Sequence, residues 1–473
     1  MSNENFISRL NDDVLFEIFL YLCAEKPETV YSNYPYPALQ LSLICSRWRA
    51  VSLCSYRLWT NITVLISTTA PRDGEPGLDE RAHHALIQEE ITNIYVQRSQ
   101  GWLISVFVCR STQSWSPKIP PPSEWVFPIS DRQIHLLCQA ISWQEICILS
   151  RWHGPVQDQS LRRLLDMGAQ CLKAVHTVTL PGHPGLYTTP AFALASNLRS
   201  LCLHGHNCCY SINDGLSHPD FPFNKIRSLA INGSSTRCDI ECGSIFLIQR
   251  ALGRFPYLRG LVLSVPIVDP HEYGILPNLS LPFLTSLTLW VDYACQVKVK
   301  YYLSNFSLPR LRSFALKYVN NIIQYPFPAE SVADVLGTCS QSLRSLSLEK
   351  VPIRASSLID ILSVVPGLTC LEIRDPVLGS FIPYCPVSQA FATYIEANPA
   401  FLLDLEAVEF IWQREDTGRK LEKALMEMVE TRRAYGKLNE VTMGRLNPYE
   451  ELSVDTNRRL AALKRQEQPI GMV

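Results

Sequence analysis

The chain has 473 residues, 47% hydrophobic and 18% charged, the balance of an ordinary globular protein and length enough for a large core or several domains. Lys and Arg number 43 against 44 Asp and Glu, and this near-neutrality argues against nucleic acid or an acidic membrane surface as a partner. No apolar run approaches the ~18 residues that span a bilayer, and Met1 to Asp13 lacks the basic-then-apolar layout of a signal peptide. The expected compartment is the cytoplasm, the nucleus or both.

The first predicted element is a helix in Ser8 to Leu22, S-R-L-N-D-D-V-L-F-E-I-F-L-Y-L. Val14, Leu15, Ile18, Phe19 and Leu22 fall at i, i+1, i+4, i+5 and i+8, which reads as one apolar face. Asn11, Asp12 and Asp13 offer an N-cap and negative charge in the first turn. Three prolines in 25–37 break the pattern. A second helix is predicted from about Ala38 to Leu53, with Leu43, Ile44, Trp48 and Val51 on one side. Y-R-L-W-T-N-I-T-V follows, where Trp59, Ile62 and Val64 begin an alternating, strand-like pattern.

From there one template recurs, L-x-x-L-x-L. Its clearest copies are L-R-S-L-C-L-H-G (Leu198 to Gly205), I-R-S-L-A-I-N-G (Ile226 to Gly233), L-R-G-L-V-L-S-V (Leu258 to Val265), L-T-S-L-T-L-W-V (Leu284 to Val291), L-R-S-F-A-L-K-Y (Leu311 to Tyr318), L-R-S-L-S-L-E-K (Leu343 to Lys350) and L-T-C-L-E-I-R-D (Leu368 to Asp375). Weaker copies stand at Trp143/Ile146/Ile148, Val175/Val178/Leu180, Leu405/Val408/Phe410 and Leu438/Val441/Met443. Period-two alternation means a strand with one face buried. From 143 to 438 successive starts lie 23 to 37 residues apart, the signature of stacked coils. Helices are predicted between copies at Leu78–Gln97, Asp131–Ile141, Asp158–Ala169, Ile245–Arg254, Glu330–Cys339 and Ser356–Val364. Thr417–Tyr435 and Glu450–Glu467 follow as a more polar closing coil. The predicted class is α/β: a small helical N-terminal domain (1–58), then a leucine-rich-repeat-like, right-handed solenoid (59–473) of parallel strands, with helices or loops on its convex side.

Chemistry-bearing motifs are few. The sequence holds no G-x-S-x-G, glycine-rich phosphate loop, H-E-x-x-H or dinucleotide fingerprint, so no catalytic residue and no cofactor is expected. The 16 cysteines are scattered with no C-x-x-C, and read as small buried hydrophobes. Cys202, His204, His206, Cys208 and Cys209 cluster, but with adjacent cysteines and no second ligand pair at a motif distance, so no metal is expected. Pro120-Pro121-Pro122, flanked by Trp115 and Trp125, is polyproline-like and reads as a connection between coils.

Leu10 through Leu22, followed by L-S-L-I-C-S-R-W-R-A-V-S-L-C-S-Y-R-L-W-T-N-I, resembles an F-box, in a spelling similar to the F-box-like proteins of mushroom-forming fungi. The resemblance covers 8–64. Two features depart from the family pattern: Leu10 is followed by Asn11 instead of proline, and the 25–37 segment is long. The resemblance implies a non-catalytic adaptor: the F-box binds the Skp subunit of an SCF-type ubiquitin ligase, cullin and RING subunits join through Skp, and the solenoid holds an unidentified protein substrate. Leu10, Leu15, Ile18, Leu43 and Trp48 are the candidate Skp face and its immediate support. The alternative is an interaction scaffold that forms no ligase.

For the substrate, the residues after the second and third apolar positions of each repeat are expected on the concave side. The first such column, Cys202 through Glu372, is mostly small; the second is larger and more polar. There Trp290, Lys317, Glu349 and Arg374 fall on neighbouring strands about 4.8 Å apart and form the candidate substrate patch.

Overall fold

The computed structural model describes residues 10–24, 36–66, 79–110, 129–140, 142–149, 155–181, 190–204, 221–232, 250–265, 278–291, 306–318, 327–376, 385–412, 418–435, 437–445 and 451–465. The chain divides into two compact units, Met1–Ile226 and Arg227–Val473. The sequence-expected boundary at 58/59 falls inside the first.

The first unit opens with three helices, α1 (Asp12–Ala24), α2 (Pro37–Ile44) and α3 (Ser46–Cys54). Asn11 caps α1: its Oδ1 accepts the Val14 N–H at 2.8 Å. The single helix expected over Ala38–Leu53 is two. The chain breaks at Cys45, whose backbone is extended (φ −155°, ψ 170°) and whose Sγ accepts the Trp48 N–H at 3.4 Å. Cysteine thus takes a capping role usually held by Ser, Thr, Asp or Asn, and a pattern that scores it as apolar runs straight through the break.

Leu15, Phe19 and Cys23 of α1, Ala38 and Leu41 of α2, and Val51 of α3 are buried in this small bundle. Trp48 leans on Phe19, ring centroids 4.8 Å apart. Arg47 ties α3 to the start of α1, pairing with Asp12 at 2.9 Å and donating to the Leu10 carbonyl. A 3-10 turn, Tyr56–Trp59, then leads into the strands. Trp59 is buried, donates from Nε1 to the Ser52 carbonyl at 2.8 Å, and meets Tyr95 edge-on at 5.0 Å. Asn61 donates to the Cys23 carbonyl at 2.7 Å. The helical bundle is therefore fastened to the first strand by hydrogen bonds and aromatic packing.

That strand is β1 (Asn61–Ile66). It is followed by β2 (Ile104–Arg110), β3 (Trp143–Leu149), β4 (Thr177–Pro181) and β5 (Ser200–His204), each parallel to the one before. Between them run α4 (Asp79–Arg98), α5 (Asp131–Gln139) and α6 (Pro155–Met167), packed in order, α4 on α5 and α5 on α6.

The second unit repeats the scheme. The strands of its main sheet are β6 (Ser228–Asn232), β7 (Gly260–Val265), β8 (Ser286–Val291), β9 (Ser313–Tyr318), β10 (Ser345–Glu349), β11 (Cys370–Arg374), β12 (Ala407–Trp412) and β13 (Glu440–Arg445), all parallel and paired in chain order, and the short segments Leu279–Ser280 and Phe306–Ser307 pair separately in parallel. Helices α7 (Ala329–Thr338), α8 (Ala355–Ser363), α9 (Gln389–Ala397), α10 (Gly418–Tyr435) and α11 (Val454–Arg465) pack successively on one another. Helix α9 has no counterpart among the elements that the sequence predicts; Ser388 caps it by accepting the Phe391 N–H at 3.3 Å. Only the end of the helix expected at Ile245–Arg254 is described.

Burial alternates along the strands as the template requires. Leu287, Leu289, Phe314, Leu316, Leu346, Leu348, Leu371 and Ile373 are all at most 1% exposed. The first apolar residue of each copy, such as Leu311, Leu343 and Leu368, is buried too. One strand and one helix or loop per coil, stacked in chain order, is a leucine-rich-repeat-like solenoid arrangement.

The closing coil is held by charge. Glu422 of α10 is 1% exposed, accepts from Arg445 at 2.7 Å, and accepts from the Ser453 N–H at 3.1 Å and the Thr456 hydroxyl at 3.2 Å. Arg459 clamps Glu430 through two bonds of 2.8 and 2.6 Å. Arg432, 4% exposed, donates to the carbonyls of Ile395, Asn398 and Pro399 at the end of α9. Leu452, Leu460 and Leu463 are only half-buried.

Two outcomes follow from this packing. Leu346→Asp buries an unpaired charge between the layers and abolishes the cooperative thermal transition; a parent-like melting curve contradicts the repeat assignment. Burial opposes ionisation of Glu422, but the bonds from Arg445 and Ser453 and the Arg445 charge outweigh it and hold the carboxyl below its usual range. A carboxyl lowered by folding adds stability above its unfolded pKa and loses it as pH falls through the folded value. Glu422→Gln therefore melts below the parent near neutral pH, with the gap closing as pH falls through and below the usual carboxylate range; a gap that stays constant as the medium is acidified contradicts the assignment.

Candidate functional site

A surface for a partner needs side chains that the fold does not consume. On α1 the apolar residues divide into two faces, where the sequence reads as one. Leu15, Phe19 and Cys23 point inward, while Val14 (43% exposed), Ile18 (41%), Tyr21 (78%) and Leu22 (41%) point outward. The outward four stand at i, i+4, i+7 and i+8, a continuous stripe. On α2, Leu43 (66%) and Ile44 (60%) are also open.

The five sequence-chosen residues are thereby sorted. Leu15 is core; Leu10 and Trp48 are half-buried; Ile18 and Leu43 are exposed. Val14, Tyr21, Leu22 and Ile44 were missed as surface residues. The signal was present: α1 is apolar on more sides than one buried seam needs. Leu58 and Trp59, each 1% exposed, serve the fold. Asn11, standing where the F-box pattern has proline, supplies the cap of α1 and so preserves the helix start.

On the outer face of the second unit's sheet, Trp290, Lys317, Glu349 and Arg374 occupy successive register positions on β8, β9, β10 and β11. Lys317 Nζ lies 5.1 Å from the Trp290 ring centroid and 2.9 Å from Glu349. The chain of pairs then shifts column. Arg374 contacts Glu372 at 2.9 Å and Glu409 at 2.7 Å, two carboxylates that are register partners on β11 and β12. Burial works against the Arg374 charge, but Glu409 outweighs it and raises its pKa. Sequence reasoning missed Glu409 because its copy of the template is weak. All four chosen residues are brought together, half-exposed and already partnered.

In the first unit, Cys202 Sγ lies 3.3 Å from His204 Nε2. The rest of that cluster, His206, Cys208 and Cys209, lies outside the described residues, as does the 111–128 segment. Among the described residues no group of three or more His, Cys, Asp and Glu side chains is placed to hold a metal, and no helix is long and apolar enough to cross a membrane.

No family model matches the sequence, and no curated protein matches it. Among solved structures the chain is similar to a protein from Bacteroides fragilis, at TM-score 0.35 and 13% identity over 59% of this chain and 68% of that one. It is also similar to a chain of the Rad7 and Elc1 complex in yeast, at TM-score 0.42 and 13% identity over 85% of this chain and 88% of that one.

The division of α1 is testable by stability. Ile18→Asp with Leu43→Asp leaves the melting temperature within a few degrees of the parent, whereas Leu15→Asp lowers it sharply or unfolds the bundle. Equal losses in both variants contradict the two-faced assignment.

Proposed function

We propose that the chain is a non-catalytic substrate adaptor of an SCF-type ubiquitin ligase. Residues 1–58 act as the F-box that binds Skp, with cullin and RING subunits joining through it, and 59–473 act as the substrate-binding solenoid. The observation that carries this reading is the open apolar stripe of α1, with Leu43 and Ile44 of α2, on a helical bundle whose own core is complete without them. It joins the sequence resemblance of residues 8–64 to an F-box. No residue performs chemistry; ubiquitin transfer becomes effectively intramolecular when the substrate is held beside the charged conjugating enzyme. The protein works in the cytoplasm, the nucleus or both, and the patch of Trp290, Lys317, Glu349 and Arg374 contacts the substrate.

The test is co-purification. The full chain retains Skp, and Ile18→Asp with Leu43→Asp loses it while remaining folded. Trp290→Ala with Arg374→Ala spares Skp, weakens substrate capture and lowers stability modestly, because surface ion pairs contribute only about 0–1 kcal/mol each while loss of Arg374 leaves Glu372 facing Glu409 across the register. A folded full chain that ignores Skp leaves the scaffold reading standing.

A further inference from the structure

The repeat template carries a residue that neither the core nor the proposed surfaces use. Five of the seven clear copies have Arg directly after the first apolar position, and the other two have Thr. In the second unit this position immediately precedes each strand. Its backbone forms an unbroken ladder: the Arg259 N–H donates to the Arg227 carbonyl at 2.7 Å, Thr285 to Arg259, Arg312 to Thr285 and Arg344 to Arg312, each at 2.8 Å. Arg227, Arg259, Arg312 and Arg344 are thus stacked along one edge of the sheet over about 19 Å, four strand spacings.

The adjoining position, just before the first apolar residue, adds a second row. Arg227 Cζ lies 5.0 Å from the Tyr257 ring centroid, Arg310 Cζ lies 5.5 Å from that of Phe283, and the two rings are 5.6 Å apart. Tyr257 and Phe283 are 46% and 39% exposed. Arg259, Arg310 and Arg312 are exposed, and none forms an ion pair with a described residue; Arg344 is exposed too, but its Nη1 donates to the Leu343 carbonyl at 2.9 Å and the Gly367 carbonyl at 3.4 Å, and its charge acts on Asp404.

Local charge is lopsided. The described residues from 227 to 344 hold eight Lys or Arg against two carboxylates, Glu330 and Asp334, both on α7. Acidic residues return to this edge at Asp404 and Glu406, and Asp404 is engaged by Lys437 at 2.8 Å. Among the described residues this edge is therefore locally positive.

We propose that this arginine edge is a docking surface for an extended acidic segment of a partner protein. A guanidinium stacked on a ring, as Arg310 is on Phe283, keeps its N–H fork open to a carboxylate. Arg227 and Arg310 already lie over the Tyr257 and Phe283 rings, which leaves less ring face for nucleobases than a single-strand binder presents. Alternate side chains of an extended peptide recur about every 6.7 Å, so the edge matches about six residues of extended chain, and flexible Arg stems absorb the difference in spacing. The proposal is independent of Skp binding and of the Trp290 patch.

The test is fluorescence anisotropy with the full chain and a labelled twelve-residue peptide of alternating Glu and Gly. The parent binds it, and affinity falls as salt rises from about 0.05 to 0.5 M. Arg259→Ala with Arg312→Ala weakens binding about tenfold without moving the melting temperature. Arg259→Lys with Arg312→Lys, which keeps the charge and loses the fork, falls between. Absence of binding by the parent, or undiminished binding by the folded alanine variant, overturns the proposal. So does tighter binding of an oligothymidylate with six phosphates, which assigns the edge to nucleic acid.

Discussion

The backbone ladder between successive coils is the constraint on which the rest depends. Each strand's amides must find carbonyls on the next coil, because a buried unpaired N–H or C=O costs as much as a lost hydrogen bond. In the second unit the pairing starts ahead of the strands, at Arg227–Arg259, and continues coil by coil to Glu406–Asn439. That ladder sets the register. With register set, alternate side chains must form columns: leucines inward against the helices, and everything else outward in files about 4.8 Å apart.

Surfaces on such a frame are read across repeats. Trp290, Lys317, Glu349 and Arg374 are 84 residues apart in sequence from first to last (374 minus 290) yet occupy four consecutive strands. The edge arginines obey the same rule five residues earlier in each coil. The two files differ in state. The Trp290 file is partnered within itself and through Glu372 and Glu409, so a ligand there must displace existing ion pairs. On the arginine edge, Arg259, Arg310 and Arg312 form no ion pair with a described residue. The helical bundle follows another logic: Arg47–Asp12 ties its helices together, and Asn61–Cys23 and Trp59–Tyr95 fasten it to the following elements, with one face of α1 turned away.

The strands were the most legible part of the sequence, because period two with leucine admits few other structures, and even weak copies such as Leu405/Val408/Phe410 form paired strands. The misses have local causes. Cys45 caps a helix through its sulfur, so two helices read as one. Helix α9 lies in a coil whose apolar spacing is short and whose cap, Ser388, is unremarkable in a loop. On α1, adjacent apolar pairs (Val14/Leu15, Ile18/Phe19) look like one broad face until packing assigns one member of each pair inward. Glu409 escaped because ion-pair partners depend on register, and register in a weak repeat is not visible before the strand is placed.

The central claim is that the N-terminal bundle presents a partner surface while the solenoid stays available for another protein. Hydrogen exchange on the full chain, with and without Skp, tests it most directly. The account predicts slowed exchange confined to helices Asp12–Ala24, Pro37–Ile44 and Ser46–Cys54, with the strands from Ser228 to Arg445 unchanged. Unchanged exchange across those three helices, or protection that appears on the strands instead, contradicts it.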